Sequence, residues 1–438
     1  MADYSHKIVI AGAGIAGLSA AVYLKEQGYN NITFIEASDR PGGRLKTDIV
    51  DGYTLNHGFH LFNTAYPCAH ELLDYSKLDL KYFKSGAIIM RQGKLTRITE
   101  ALKMSFFAFK MLFTDIGNFK DKLKLIKKRI ELKQMTEKEI FDKFEIKSSS
   151  LLKKKHFSKR IISHFFQPYF SSIFLENELT TSRRMLDYNY KMITEGRLSI
   201  PAKGIEAIPL QLASFFDPSS FILNTKALDF ADGKVSLDNG QVVDADIFII
   251  ATEQTGLFHK IKKVPARTDY RSATCLYFSA DKKPFLDSMI CVSANDPKLV
   301  NSMAVLTNIS KSFAPKNKEL ICVSLNGLAK AEDSVIEKEV KAELFKAFGS
   351  QVESWKLIKS YKIDYALPNQ DYVLSRRRIL ELKLDKNVYA CGDHLLYGNI
   401  NGAMKSGKQI AEIIHSEFNK DHKFEKKLKY SKLFDNKV

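Results

Sequence analysis

The apolar positions of this chain change period several times, and each change marks an element. Ile8 to Ala11 form an unbroken apolar run, the pattern of a strand buried on both faces. Leu18 to Leu24 continue with helical spacing, and a second apolar run, Ile32 to Ile35, follows. That order predicts a βαβ unit. From about 86 to 195 the pattern turns basic and helix-like. In DKLKLIKKRIELKQMTEKEIF, Leu123, Ile126 and Ile130 recur at helical spacing with lysines between them. Residues 200–262 return to strands: GKVSLDNGQVV predicts a hairpin with an Asn-Gly turn, and DIFIIATE a buried strand running into Ala251. Five β-like runs come next, TCLYFSA, SMICVSA, SMAVLTNIS, LICVSLNG and LIKSYKI, with AEDSVIEKEVKAELFKAFG fitting one helix between the last two. NVYACGDHLLYGNINGAMKSGKQIAEII closes the pattern as strand, loop and helix.

The expected fold class is α/β. A Rossmann-like nucleotide-binding domain would be built from discontinuous segments, residues 1–85, 200–262 and 365–418. An α+β substrate or cap domain, 86–199 and 263–364, would be inserted between them, and 419–438 would form a basic C-terminal tail. A chain of 438 residues suits two or three domains. No stretch reaches the ~20 apolar residues of a membrane span. The first strand begins by Ile8, so no signal or transit peptide is expected. Five scattered cysteines (Cys68, Cys275, Cys291, Cys322, Cys391) show no CxxC or zinc spacing, so reduced thiols in a cytoplasmic protein without a metal site are expected.

Charge adds a second theme. The net charge is +17, and residues 101–160 hold 17 Lys/Arg against 7 Asp/Glu. Only 14 of the 67 basic residues are arginine, which argues against a nucleic-acid reader that needs bidentate contacts to base edges. An anionic membrane surface is the alternative partner. KMSFFAFKMLF and HFFQPYFSSIF read first as core helices; their clustering with the basic window raises the alternative of interfacial helices, with the protein peripheral on the inner membrane face.

The chemistry lies in the glycines. Gly12, Gly14 and Gly17, with Ala16 among them, fall between the first strand and its helix. Gly12 permits a tight turn, Gly14 lets a pyrophosphate approach the backbone, and Gly17 lets helix pack on strand. Phosphates would sit at the helix N-terminus, where free N–H groups and the macrodipole favour negative charge. Glu36 ends the second run, where an acid binds the adenosine ribose. Arg40, Gly42, Gly43 and Arg44 then add forked phosphate donors and a backbone open to close approach.

Together Glu36, Arg40, Gly42, Gly43 and Arg44 resemble the E-x-x-x-R-x-G-G-R signature of amine oxidases, protoporphyrinogen oxidases and phytoene desaturases. The later stretch GDHLLYGNINGAMKSG is similar to the C-terminal flavin motif of the same superfamily. NHGFHLF, IPAKGIEAIPLQLA and IIATE extend the resemblance over nearly the whole chain, which looks most like bacterial desaturase-like oxidoreductases. The resemblance implies FAD. It assigns Gly12, Gly14, Gly17, Glu36, Arg40, Gly43 and Arg44 to the adenosine and pyrophosphate, and Ala227 to the adenine. It puts Gly58 and His60 close to the flavin ring, and Gly392, Asp393, Ile400, Asn401 and Ala403 along the ribityl arm and ring. Two positions depart from the pattern: Asn56 replaces the usual Asp before G-F-H, and Lys203 replaces a glycine before Gly204.

With a single nucleotide fingerprint present, the resemblance implies that electrons leave for oxygen, a quinone or another diffusible acceptor. His60 is a candidate for proton transfer, with packing against the flavin as the simpler role. Lys282, in SADKKPFL, stands where amine oxidases place a lysine that holds water at the flavin; among so many lysines coincidence is the simpler account. The leading expectation is an FAD-dependent desaturase, dehydrogenase or isomerase acting on an apolar isoprenoid or carotenoid-like lipid. The runner-up is an amine oxidase, weakened because Asn399 occupies the position of its aromatic residue and Tyr397 is out of register. A non-enzymatic prenyl or lipid carrier is the third.

Overall fold

The computed structural model describes residues 4–99, 117–253, 257 and 270–419. Strand β1 (Ile8–Ala11) is wholly buried, and helix α1 (Ile15–Glu26) connects it to the parallel strand β2 (Ile32–Ile35). On its other edge β1 pairs in parallel with β3 (Ile247–Ile250), also wholly buried. The sheet has six strands in the order Phe221–Ile222, β2, β1, β3, Val388–Ala390, Lys383–Asp385, and only the last pair is antiparallel. Its strands come from three separated stretches of sequence, the Rossmann-like arrangement expected.

A seven-stranded sheet forms the second layer. Its order is Lys356–Pro368, β4 (Tyr270–Ala280), Glu319–Asn326, Val300–Val305, Ile290–Ser293, Gly86–Arg91, Lys94–Thr99. The Asp333–Phe348 helix covers it through Ile336, Val340, Leu344 and Phe348, in a cluster that also holds Trp355. The Gly86–Thr99 hairpin corrects the helix-like reading of 86–195. Gln92 (φ 49°) and Gly93 (φ 76°) both take the left-handed region, which a two-residue primed hairpin turn requires. Gly86–Arg91 then pairs in parallel with Ile290–Ser293, a partner about two hundred residues away that no local pattern announces.

Between the hairpin and the next strand lie helices. In α2 (Phe119–Gln134) Asn118 and Asp121 form a reciprocal capping box. A π-helical turn, Ile162–Phe166, leads into α3 (Gln167–Phe174). Pro168 lacks an N–H and its ring crowds the carbonyl four residues earlier, a conflict the wider turn relieves. HFFQPYFSSIF is therefore buried: Phe165, Phe166, Tyr169, Phe170 and Phe174 all belong to the core. KMSFFAFKMLF lies outside the described residues. Helix α4 (Arg183–Glu195) is capped by Ser182, and α5 (Ile400–Phe418) by Asn399, whose Oδ1 accepts from Gly402 N at 2.7 Å. Helices α1 and α5 cross closely because Gly407 has no side chain; a Cβ there would stand 2.5 Å from the Ala16 carbonyl oxygen. Among the described residues no helix is long and apolar enough to cross a membrane.

Candidate cofactor and substrate site

A cavity of about 550 Å³ opens where β1, β3 and the N-termini of α1 and α5 converge. Gly12, Gly14, Ala16, Glu36, Gly42, Gly43, Arg44, His60, Ala251, Gly392, Asp393, Ile400 and Ala403 all line it. Thirteen positions named from five stretches of sequence thus share one wall.

The glycines make a cradle. Gly14 bridges Gly42, and a Cβ on Gly43 would come within 3.0 Å of the Gly14 Cα. Gly14 is also the N-cap of α1, with no side-chain cap and no acid in the first turn. The first N–H groups of that helix are left for an anion. Gly17 stands behind the cradle, where a Cβ would lie 2.3 Å from the Gly12 carbonyl oxygen, so it serves packing.

Glu36 is held from both sides. Its Oε2 accepts from Ala13 N (2.8 Å), and Oε1 accepts from Ser38 N (3.0 Å) and Ser38 Oγ (2.6 Å). A carboxylate has about four acceptor positions, so with three filled about one remains for a ribose hydroxyl. Arg44 donates to Asp393 Oδ1 at 2.5 Å and lies 3.7 Å from Glu253. Burial pushes the Glu253 carboxyl up and the Arg44 cation pulls it back, with a net rise.

His60 is held as a neutral ring. Burial lowers its pKa to about 4, with the Arg44 and His57 charges acting in the same direction against its bond to the His57 carbonyl. In that state Nε2–H donates to His57 O at 2.9 Å and Nδ1 keeps its lone pair. His57 itself faces Asp48 at 3.0 Å and packs on Tyr361.

Two buried polar atoms on the wall, Thr252 Oγ1 and Asn399 Nδ2, have no protein partner among the described residues. Burying such groups unpaired costs about 1–3 kcal/mol each, so both point to a polar ligand. Glycine cradle, open helix N-terminus, an acid at the end of β2 and orphaned donors together fit FAD.

Besides Gly17, five expected residues stand elsewhere. The Arg40 guanidinium is not on the wall; it meets Glu206 (2.6 Å), Asp48 (3.0 Å) and Asp39 (3.1 Å) and joins the Thr47–Asn56 hairpin to the helix beginning near Glu206. Asn401 is fully buried inside the fold. Its Oδ1 accepts from Cys68 N (2.9 Å), and its Nδ2 donates to the hydroxyls of Tyr188 (3.0 Å) and Tyr397 (2.8 Å). Gly58, at φ 113°, shapes the turn under His60. Ala227 begins the Ala227–Ala231 strand, two residues past the Thr225 N–H that bonds Glu36 O. Lys282 is exposed on the turn after β4, away from the cavity, because β4 runs past the site before it turns. The departure at Asn56 is explained too: its Oδ1 accepts from Thr47 Oγ1 and Ile205 N, both at 2.9 Å, so it braces the scaffold.

The rest of the wall was not singled out beforehand. Phe59, Leu61, Tyr66, Tyr169, Ile173, Phe174, Asn189, Ile193, Leu198 and Ile290 form an apolar chamber with a few neutral polar groups. Tyr66 and Tyr169 are over nine-tenths buried, make no hydrogen bond through their hydroxyls among the described residues, and are held neutral because burial raises both phenols.

A parallel βαβ unit with a glycine cradle at the helix N-terminus and an acid ending the second strand defines a dinucleotide-binding protein. More narrowly, residues 15–415 match the family described as flavin containing amine oxidoreductase. The chain belongs to that family and is an FAD-dependent oxidoreductase. It is 23% identical over 163 residues to protoporphyrinogen oxidase 2 of Arabidopsis thaliana, covering 37% of this chain and 31% of that protein. It is 36% identical over 80 residues to 1-hydroxycarotenoid 3,4-desaturase of Flavobacterium sp. (strain P99-3), covering 18% of this chain and 16% of that protein. The chain thus matches about a third or less of these relatives' own length. A solved structure from Exiguobacterium sp. 255-15, provisionally assigned as a protoporphyrinogen oxidase, has the same fold. Its TM-score is 0.73 at 18% identity, covering 94% of this chain and 99% of that one.

Proposed function

We propose that this oxidoreductase dehydrogenates or isomerises a neutral, apolar lipid of isoprenoid or carotenoid type. The chamber wall carries the reading. The charged wall residues Glu36, Arg44, Glu253 and Asp393 come from the segments around the glycine cradle, whereas α3, α4, Leu198 and Ile290 contribute no charged side chain among the described residues. A cationic or carboxylated substrate there would be desolvated without a counter-charge, which is costly. A hydrocarbon chain loses nothing by entering.

FAD, when bound, supplies the hydride acceptor. The chain's own residues position substrate and exclude water. Neutral Tyr66 and Tyr169 can donate to an oxygen on the substrate, and neutral His60 can accept at Nδ1 but is no acid near neutral pH. Oxygen or a quinone is the acceptor in this reading, and an anionic membrane surface the setting. The amine reading is disfavoured by one further observation. Tyr397 is fixed in the scaffold, its hydroxyl donating to Glu137 at 2.9 Å, and gives no aromatic face to the cavity.

Anaerobic mixing of holo-protein with isoprenoids, and separately with primary and secondary amines, tests the proposal. The oxidised flavin band should bleach with the lipid. Bleaching by amines alone overturns the reading, while a change of polyene geometry without bleaching selects isomerisation.

A further inference from the structure

Helix α2 is apolar on two opposite faces, and one of them faces solvent. Leu125 and Leu132 are buried, while Phe119, Leu123, Ile126 and Ile130 are 59%, 50%, 36% and 56% exposed. At about 100° per residue those four fall within an arc of about 60°, roughly opposite the two leucines. The positions that periodicity singles out are thus the outward ones. Four large apolar side chains in a row on a solvent-facing helix mark an interaction surface rather than scattered exposure.

Charge indicates the partner. Exposed Lys120 and Lys127 flank the stripe on one side and Lys133 on the other. The segment beside the helix adds exposed Lys153, Lys154, Lys155, Lys159 and Arg160. It is held there firmly: Asp121 accepts from Ser158 N (2.9 Å) and Ser158 Oγ (2.5 Å), and Lys124 lies 5.6 Å from the centre of the Phe157 ring. An apolar stripe bordered by lysines is the arrangement of a helix lying in a bilayer interface, with its apolar face in the acyl boundary and its lysines among anionic headgroups. A protein partner would have to carry an acidic rim around an apolar groove; an anionic bilayer offers both everywhere. The same chain segment runs on through the π-helical turn into α3, whose Tyr169, Ile173 and Phe174 line the chamber.

We infer that the Phe119, Leu123, Ile126, Ile130 face of α2 docks the protein on an anionic lipid surface. This rests on the membrane part of the function proposed above and is independent of the substrate.

The test uses full-length holo-protein and vesicles of phosphatidylcholine with phosphatidylglycerol. Wild type should co-float at low salt and less at high salt. A Leu123→Gln/Ile130→Gln variant should keep its flavin and melting temperature, because both side chains are exposed, yet partition at least about tenfold less. The protein has one tryptophan, Trp355, which is buried, so Phe119→Trp adds a surface reporter whose emission should shift to the blue only with anionic vesicles. Absence of flotation at low salt overturns the membrane setting altogether. Flotation unaffected by the double variant overturns this face alone. A stripe-dependent dimer by light scattering, with no vesicle binding, assigns the face to a second copy and overturns the lipid.

Discussion

Gly14 and Gly17 stand three residues apart and carry different loads. A Cβ at Gly14 meets only the Gly43 Cα, at 3.7 Å, whereas one at Gly17 collides with backbone. Gly14→Val is therefore expected to fold but to purify without flavin, because the branched side chain fills the cradle; full flavin content in that variant would show the turn to be purely structural. Gly17→Ala should instead cost about 1–3 kcal/mol of stability through overpacking, read by thermal unfolding of the apo-protein. His60 gives a pH expectation. Its folded pKa, about 4, lies below the ordinary histidine value of about 6.5. Between those two pH values the unfolded chain binds the proton and the folded one does not, so stability falls as pH drops through that window and levels off below it. His60→Gln should flatten the melting temperature between pH 6.5 and 4; an unchanged slope would contradict a neutral, half-buried ring.

At the scale of elements, α5 is the part most tied to the rest of the molecule. It packs on α1 through Gly407, and Asn401 bonds to the Cys68 N–H, to Tyr188 of a distant helix and to Tyr397 just before α5. Asn401→Leu is expected to destabilise the fold by about 2–3 kcal/mol, by stranding the Cys68 N–H and removing a donor from each of the Tyr188 and Tyr397 hydroxyls. A melting temperature equal to wild type would show that water takes over those bonds. This position also shows where sequence reading stopped. The N-G-A motif correctly marks a helix start at the cavity, but only packing reveals that Asn399 and Ala403 face the cavity while Asn401 faces inward. Helix α2 teaches the same lesson: spacing identified its apolar positions, and tertiary contact decided that Leu125 and Leu132 would be the buried ones.

Across the whole molecule, the four inner strands of the six-stranded sheet were legible because each is a short, mainly apolar run with its own punctuation, whereas the edge strands Phe221–Ile222 and Lys383–Asp385 are too short to show a pattern. The glycine cradle was legible because its chemistry is local to residues 12–17 and 40–44. The chamber was not. Tyr66, Tyr169, Ile193 and Ile290 come from four distant segments, and an apolar residue on a cavity wall reads the same as one in a core. The Gly86–Thr99 hairpin was missed for a related reason, since its parallel partner near Ile290 is remote in sequence.

The central claim is that one cavity joins a flavin cradle to a charge-free substrate chamber. Ile173→Glu tests it most directly, by placing an anion in the chamber wall while leaving the cradle untouched. The variant is expected to purify with full flavin, yet its flavin should no longer be bleached anaerobically by the isoprenoid that bleaches wild type. Lipid-driven bleaching at the wild-type rate would contradict the account, because the substrate would then lie outside this chamber.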